Sequence, residues 1–273
     1  MLYVCATPLG NLGDVTLRVL EALRSVEVIA AEDTRRTRKL LARYDIHTPL
    51  TSLFAHNEAQ KTEYVIGVLR DGADVALVTD AGTPGVSDPG MRLVTRAVAE
   101  GLPLAVLPGA SAPVAALVTS GFAGEGGFRF VGYLPRKSAA LACALREWRR
   151  AGGVIVAFET GKRMARSLAE LSAGAPEASG AVCRELTKLH EEVVRGGLAE
   201  LAARFPGEVK GEITLVIDLG PAQPGVTADE EVSAAARALL AKGLSKRDTA
   251  AALGVCLGVS HRAAERIVRE AVG

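Results

Sequence analysis

Glu32 and Asp33, followed by Arg35, Arg36, Arg38 and Lys39, bring two carboxylates and four cations into one short stretch. Carboxylates at the end of an apolar run such as Val26–Ala31 can take a proton from a substrate as general base. Asp33 can equally do no more than cap the helix that follows. Arg35, Lys39 and Arg43 recur at i, i+4 and i+8, which puts them on one helical face. Such a ridge contacts phosphates, or it is an ordinary solvated charged face; the spacing alone fits both. The second stretch with chemistry in it is the loop Asp80-Ala-Gly-Thr-Pro-Gly-Val-Ser-Asp-Pro-Gly90, which follows the apolar run 73–78. Its glycines let the backbone approach a ligand closely, its prolines stiffen it, and it is longer than the roughly two to six residues of an ordinary strand-to-helix connection. Thr7-Pro-Leu-Gly-Asn-Leu-Gly13 and Pro108-Gly-Ala-Ser-Ala112 follow apolar runs in the same way. In a parallel sheet, loops that follow strands converge on one edge and can wall a pocket there.

Several familiar chemistries lack their patterns. Neither the dinucleotide fingerprint nor the Walker loop is present; Gly161-Lys162 is followed by Arg163 without the upstream glycine. Ser111 lacks the second glycine of a nucleophile elbow. His47, His56, His190 and His261 show no metal-ligand spacing, so no metal site is expected.

The elements that must hold these loops are legible from apolar spacing. Leu2–Ala6, Val26–Ala31, Val75–Thr79 and Leu104–Leu107 read as strands. Val15–Leu23, Arg35–Tyr44, Glu58–Leu69 and Met91–Glu100 have helical spacing between them. Their alternation predicts βαβ units and a parallel sheet, which ends near residue 125 at Gly124-Glu-Gly-Gly127. A second set follows, with strands at Phe128–Gly132, Val154–Glu159, Gly180–Arg184 and Ile213–Leu219, and helices at Ala139–Arg150, Arg163–Leu171 and Leu198–Phe205. A turn-rich linker at 220–227 leads to three helical stretches, about 229–241, 245–253 and 260–270, with Ser245 and Ser260 as N-caps. The expected organisation is thus residues 1–125 and 126–222 as two α/β domains, and 228–273 as a small basic helical region.

The 273 residues exceed one typical domain of about 100–150. Composition agrees: 49% hydrophobic with 4% aromatic means an aliphatic core, suited to a sheet covered by helices. Net charge is +1, but residues 237–273 carry seven Lys/Arg against three Asp/Glu, a +4 tail on a −3 body compatible with a polyanion partner. Cys5, Cys143, Cys183 and Cys256 are scattered without any C-x-x-C pair, which reads as reduced, buried, structural thiols in a cytoplasmic protein. No signal peptide is expected. Residues 101–124 are free of charge, but Pro103, Pro108 and Pro113 break them into a strand, a turn and a short helix of buried core, so no membrane span is expected.

Six segments together, Ala6–Asp14, Ala31–Arg35, Asp80–Gly90, Pro108–Ala112, Leu134–Lys137 and Arg184–Lys188, resemble the ribosomal-RNA-modifying branch of the tetrapyrrole methylase family. The resemblance runs over residues 1–220. It implies S-adenosylmethionine as cofactor, bound in a cleft between two α/β domains, and a homodimer. It also implies 2′-O-methylation of a cytidine of 16S ribosomal RNA near the decoding centre, on RNA or the assembled small subunit. By motif, Pro8, Ala81, Gly82, Thr83, Val86, Ser111, Ala112, Phe158, Glu159, Leu186 and Thr187 fall at the cofactor positions, and Asp33 matches a carboxylate that accepts a proton in some tetrapyrrole-modifying relatives; Glu32 beside it is the second catalytic candidate. With such a substrate, Arg35, Arg36, Arg38, Lys39, Arg136 and Lys137 are the candidates for phosphate contacts. The target hydroxyl exists only on ribose, so DNA is not expected to serve. One departure stands out: Phe158-Glu-Thr-Gly-Lys-Arg163 replaces the Tyr-Glu-Ser-Pro-His-Arg of these RNA enzymes, so no essential histidine acts from that loop. Two rival readings are a corrin-precursor methyltransferase on the same fold and a non-catalytic RNA-binding assembly factor.

Overall fold

The computed structural model describes residues 1–122, 127–222, 228–241, 243–257 and 260–271. The first sheet contains β1 (Leu2–Cys5), β2 (Val28–Ala31), β3 (Leu50–Ser52), β4 (Val75–Val78) and β5 (Leu104–Leu107), in the order β3-β2-β4-β1-β5. Every pairing in it is parallel. Its connections are helical: α1 (Leu17–Ser25), α2 (Thr34–Arg43), α3 (Glu58–Arg70) and α4 (Met91–Ala99). Successive strand residues point to opposite faces, and the core divides accordingly. Ile29 and Ala31 pack with the helices α1 and α2, whereas Val28 and Ala30 pack with α3 and α4. β2 and β4 are buried throughout, as expected of strands covered on both faces.

The chain then changes sheet. α5 (Ala112–Ser120) packs Ala116 and Leu117 against Val154, Val156, Ala181 and Val216. By packing it therefore covers the second sheet, although it precedes Gly124 in sequence. That sheet comprises β6 (Phe128–Tyr133), β7 (Val154–Thr160), β8 (Ser179–Arg184), β9 (Glu192–Gly197) and β10 (Glu212–Asp218), in the order β6-β7-β10-β8-β9. Only β6 and β7 pair in parallel; the other pairings are antiparallel. The seven residues between β8 and β9 are too few for a parallel crossover, which needs about a dozen or more. Helices α6 (Ser138–Ala151), α7 (Met164–Gly174) and α8 (Leu198–Arg204) cover its other face through Leu141, Leu168 and Leu201.

Residues 101–124 meet the expected strand and helix, with Gly121 at φ +77 ending α5; Gly124 lies outside the described residues. They are less buried than expected, because β5 is an edge strand and leaves Val106 52% exposed, while Val118 on α5 is 70% exposed. Among the described residues no helix is long and apolar enough to cross a membrane.

By internal contacts the chain falls into two compact units, Met1–Pro221 and Ala222–Gly273. The second unit consists of α9 (Ala228–Ala241), α10 (Lys246–Leu257) and α11 (His261–Glu270) around Val232, Ala236, Leu253, Ala264 and Ile267. Both serine caps form: Ser245 Oγ accepts from Asp248 N at 3.1 Å and Ser260 Oγ from Ala263 N at 3.3 Å.

Candidate active site

β1, β2, β4 and β5 end at one edge of the first sheet, so the segments that follow them meet there. Two locks fix those segments to one another. Thr7 and Gly82 exchange backbone hydrogen bonds of 2.8 and 2.9 Å, and the Thr7 hydroxyl donates to Thr79 O at 2.9 Å. Asp80 Oδ1 accepts from Asp33 N at 3.1 Å, while Asp80 N donates to Glu32 Oε2 at 3.2 Å. Gly82 sits at φ +79, a conformation open to glycine and strained for a β-branched residue. Gly90, at φ +115, lies so close over Leu77 that a Cβ would come within 2.8 Å of it.

The second sheet supplies the facing wall of a cavity of about 390 Å³, within the usual range for small-molecule sites. Tyr133 and Phe158 meet edge to face at 5.6 Å, and Phe130 meets Phe158 at 5.0 Å. Glu159, fully buried at its side chain, accepts from Thr160 N (2.6 Å), Arg163 Nη2 (2.8 Å) and Ser167 Oγ (2.5 Å). Arg163 also donates to Leu134 O at 2.6 Å. This buried pair ties the end of β7 to α7 and to the segment after β6. A third wall segment, Arg184–Lys188, turns through Glu185 at φ +52 and Thr187 at φ +64. Its Lys188 lies across Gly10, where a Cβ would stand 2.1 Å from Lys188 Cγ. The ammonium is held by Glu185 at 2.9 Å and Glu212 at 3.0 Å.

Most of the expected site residues meet in this cavity. Ala81, Gly82, Thr83, Val86, Ser111, Ala112, Phe158, Glu159 and Leu186 line it, as do Glu32 and Arg36. Pro8 does not; the neighbouring Leu9 takes that place. Thr187 does not line it either, and its amide donates to Glu191 at 2.6 Å. Asp33 is also absent from the lining. It caps α2, accepting from Arg35 N at 2.8 Å and pairing with the Arg35 guanidinium at 2.7 Å. Arg35 holds its carboxyl well below the usual carboxylate range, which makes it a weak base. Asp80, Asp88, Tyr133, Cys183, Glu212 and Thr214 also line the cavity and were not singled out from sequence. Asp80 and Asp88 were within reach of that reading, since both stand in the glycine loop; the others come from β6, β8 and β10, which carry no loop motif to mark them.

The lining combines apolar walls with unusual acidity. Burial raises the pKa of Glu32 and of Asp80, the latter opposed by the Arg36 guanidinium at 3.3 Å. Asp88 is pushed up to about 7 by burial first and by the Glu32 charge second. The exposed basic residues sit outside this acidic centre: Arg38, Lys39 and Arg43 lie on the open face of α2, opposite buried Thr37, Leu40 and Leu41. Arg136 and Lys137 are exposed on the segment leading from Tyr133 into α6. Cys183, its thiol raised to about 11 by burial, and Cys5 are buried free thiols as expected, whereas Cys143 is exposed on α6. Cys256 lies outside the described side chains. Among the described residues no group of three or more His, Cys, Asp or Glu side chains could hold a metal ion.

Comparisons with known proteins agree with this geometry. The model of the Tetrapyrrole (Corrin/Porphyrin) Methylases matches residues 1–202. A ribosomal RNA small subunit methyltransferase I of Micromonospora olivasterospora is 43% identical over 99% of this chain and 81% of its own length. The protein of that name from Mycobacterium bovis is 46% identical over 79% of this chain and 76% of its own. Among solved structures, a cobalt precorrin-4 methyltransferase superposes with TM-score 0.60 at 17% identity, over 81% of this chain and 96% of that one. Uroporphyrin-III C-methyl transferase from Thermus thermophilus, complexed with S-adenyl homocysteine, gives 0.58 at 19%, over 80% and 96%. With about three quarters of its length matched by the family model and the two sheets closing on one cavity, the chain belongs to the tetrapyrrole methylase family.

Proposed function

We propose that the protein is an S-adenosylmethionine-dependent methyltransferase that methylates the 2′-oxygen of a cytidine ribose in 16S ribosomal RNA, near the decoding centre. The observation that carries the reading is a glycine-lined, acidic cavity whose rim begins the exposed basic helix α2. The relatives sharing 43 and 46% identity are named for small-subunit ribosomal RNA, which supports the substrate class. The residues present fit the donor: the carboxylates of Glu32 and Asp80 suit a sulfonium cation, and Leu9, Val86, Phe158 and Leu186 suit its apolar parts.

S-adenosylmethionine supplies an activated methyl group, so the chain must chiefly align and deprotonate. Alignment is worth about 7–11 kcal/mol in favourable cases, more than a general base contributes. The interlocked loops around Thr7, Gly82 and Asp80 are the rigid part that provides it. Arg38, Lys39, Arg136 and Lys137 draw the RNA backbone toward the opening, and the basic C-terminal unit adds charge for the same polyanion. The apolar surface left on β5 and α5 by Val106, Val114 and Val118 supports a homodimer.

Four results are expected. Tritiated methyl groups should pass to unmodified small subunits and not to DNA or to a corrin precursor; transfer to the corrin precursor alone favours the tetrapyrrole reading, and donor binding without any transfer favours an assembly factor. Gly82→Val should abolish donor binding by calorimetry while Asp33→Asn keeps it, and equal affinity in both variants contradicts the loop's role. Charge reversal at Arg38 and Lys39 should weaken RNA binding and lower its salt slope by roughly 0.7 for each phosphate no longer neutralised; an unchanged slope removes both from the interface. Sedimentation should give a dimer that Val118→Glu weakens, and a monomer at all concentrations is the opposing result.

A further inference from the structure

Among the described residues, Asp88 is the one cavity-lining carboxylate with neither an ion pair nor a backbone donor. Asp33 is tied to Arg35 outside the lining. Asp80 accepts from Asp33 N and pairs with Arg36, Glu32 accepts from Asp80 N, Glu159 takes three donors, and Glu212 holds Lys188. Asp88 lines the cavity and forms no ion pair among the described residues. The hydroxyl of Thr79 stands beside its carboxyl. Thr79 is 2% exposed, and its hydroxyl, engaged by no backbone group, is the hydrogen-bonding neighbour of that carboxyl. The loop reaches this position through Ser87 at φ +67, a left-handed non-glycine residue of the kind that clusters at functional sites.

We propose that Asp88 is the catalytic base of this cavity: with Thr79 behind it, its carboxylate takes the proton of the ribose 2′-hydroxyl. The assignment rests on the methyl-transfer reading above. In the step, the hydroxyl proton moves to an Asp88 oxygen as the ribose oxygen bonds to the methyl carbon. The carbon–sulfur bond breaks with its electron pair going to sulfur, leaving a neutral thioether, and Asp88 later gives its proton to water. Atoms and charges balance without a further reagent. The surroundings tune the group. Glu32 at the end of β2, Asp80 after β4 and Glu212 at the start of β10 all oppose its ionisation, with burial the larger cause, and Thr79 favours it. Arg36 on α2 is spent on Asp80, and Tyr133 at the end of β6 feels the Asp88 charge in turn, its own pKa raised by burial and then by Asp88. A base poised near 7 is matched to work at neutral pH.

Asp88→Asn and Thr79→Val should be compared with the wild type by single-turnover methylation from acid to alkaline pH, by calorimetry with S-adenosylmethionine, and by carboxyl carbon NMR of the ligand-free protein. In the wild type the rate should rise with pH through the region around 7. The NMR should show a carboxyl titrating there that is missing from Asp88→Asn. Asp88→Asn should lose roughly 10²–10⁴-fold in rate and keep donor affinity within a few fold. Thr79→Val, which removes a stabiliser of the carboxylate, should move both the rate limb and the NMR midpoint to higher pH. An Asp88→Asn rate equal to wild type, or an Asp88 carboxyl that titrates near the ordinary value of about 4, overturns the assignment while leaving the methyltransferase reading intact. A wild type that binds donor and methylates no RNA overturns both. Should Asp88→Asn fail to fold, an unmoved limb in Thr79→Val overturns the assignment by itself.

Discussion

The cavity's first wall depends on loops that are bound to each other before they are bound to anything else. A strand-end loop free in water costs entropy to order, and three such loops would wander independently. Here Thr7 and Gly82 pair as a small patch of sheet, and Asp80 exchanges hydrogen bonds with the Glu32–Asp33 turn. The parallel sheet makes these contacts possible, because the ends of β2, β4 and β1 are neighbours in that order. Glycine at 82 follows from the same lock: the backbone must turn left-handed to present both its groups to Thr7.

The opposing wall is built on a different principle. Its sheet is mostly antiparallel, and its fixed point is a buried charge pair, Glu159 with Arg163, whose hydrogen bonds are shared among a backbone amide, a serine and the Leu134 carbonyl. Removing one member of such a pair strands the other in a medium that solvates charge poorly. The family resemblance marked Glu159 as a cofactor residue; the structure gives it three donors from within the fold, with the cavity at its edge. The two walls meet where α5, leaving the first sheet, lies down on the second.

Much of this was legible in the residues. Strands buried on both faces are unbroken apolar runs, so β1, β2, β4, β7, β8 and β10 were found within a residue or two, and the glycine loops after them marked the binding edge. β3 and β9 were not found, because a three-residue edge strand after Pro49 and the polar, glycine-ended Glu192–Gly197 carry no apolar alternation to read. The antiparallel order of the second sheet was hidden for a related reason: it is set by connection length and pairing, not by the strands' own composition. Asp33 shows a third limit. Its two readings, cap and base, use the same residue type at the same position, and the structure adds what the sequence could not show: the cap itself and the Arg35 guanidinium that lowers its basicity.

Lys188 lying flat on Gly10 has a structural corollary of its own. A lysine stem ordinarily yields to a neighbour by swinging aside, yet this one is moored at its tip by two carboxylates. Any side chain at position 10 must therefore either cut that mooring or lever the Arg184–Lys188 segment away from the first loop. The spacing between the first loop and the Arg184–Lys188 segment is thus set by a hydrogen atom, and the residue that measures it comes from the far end of the chain's second sheet.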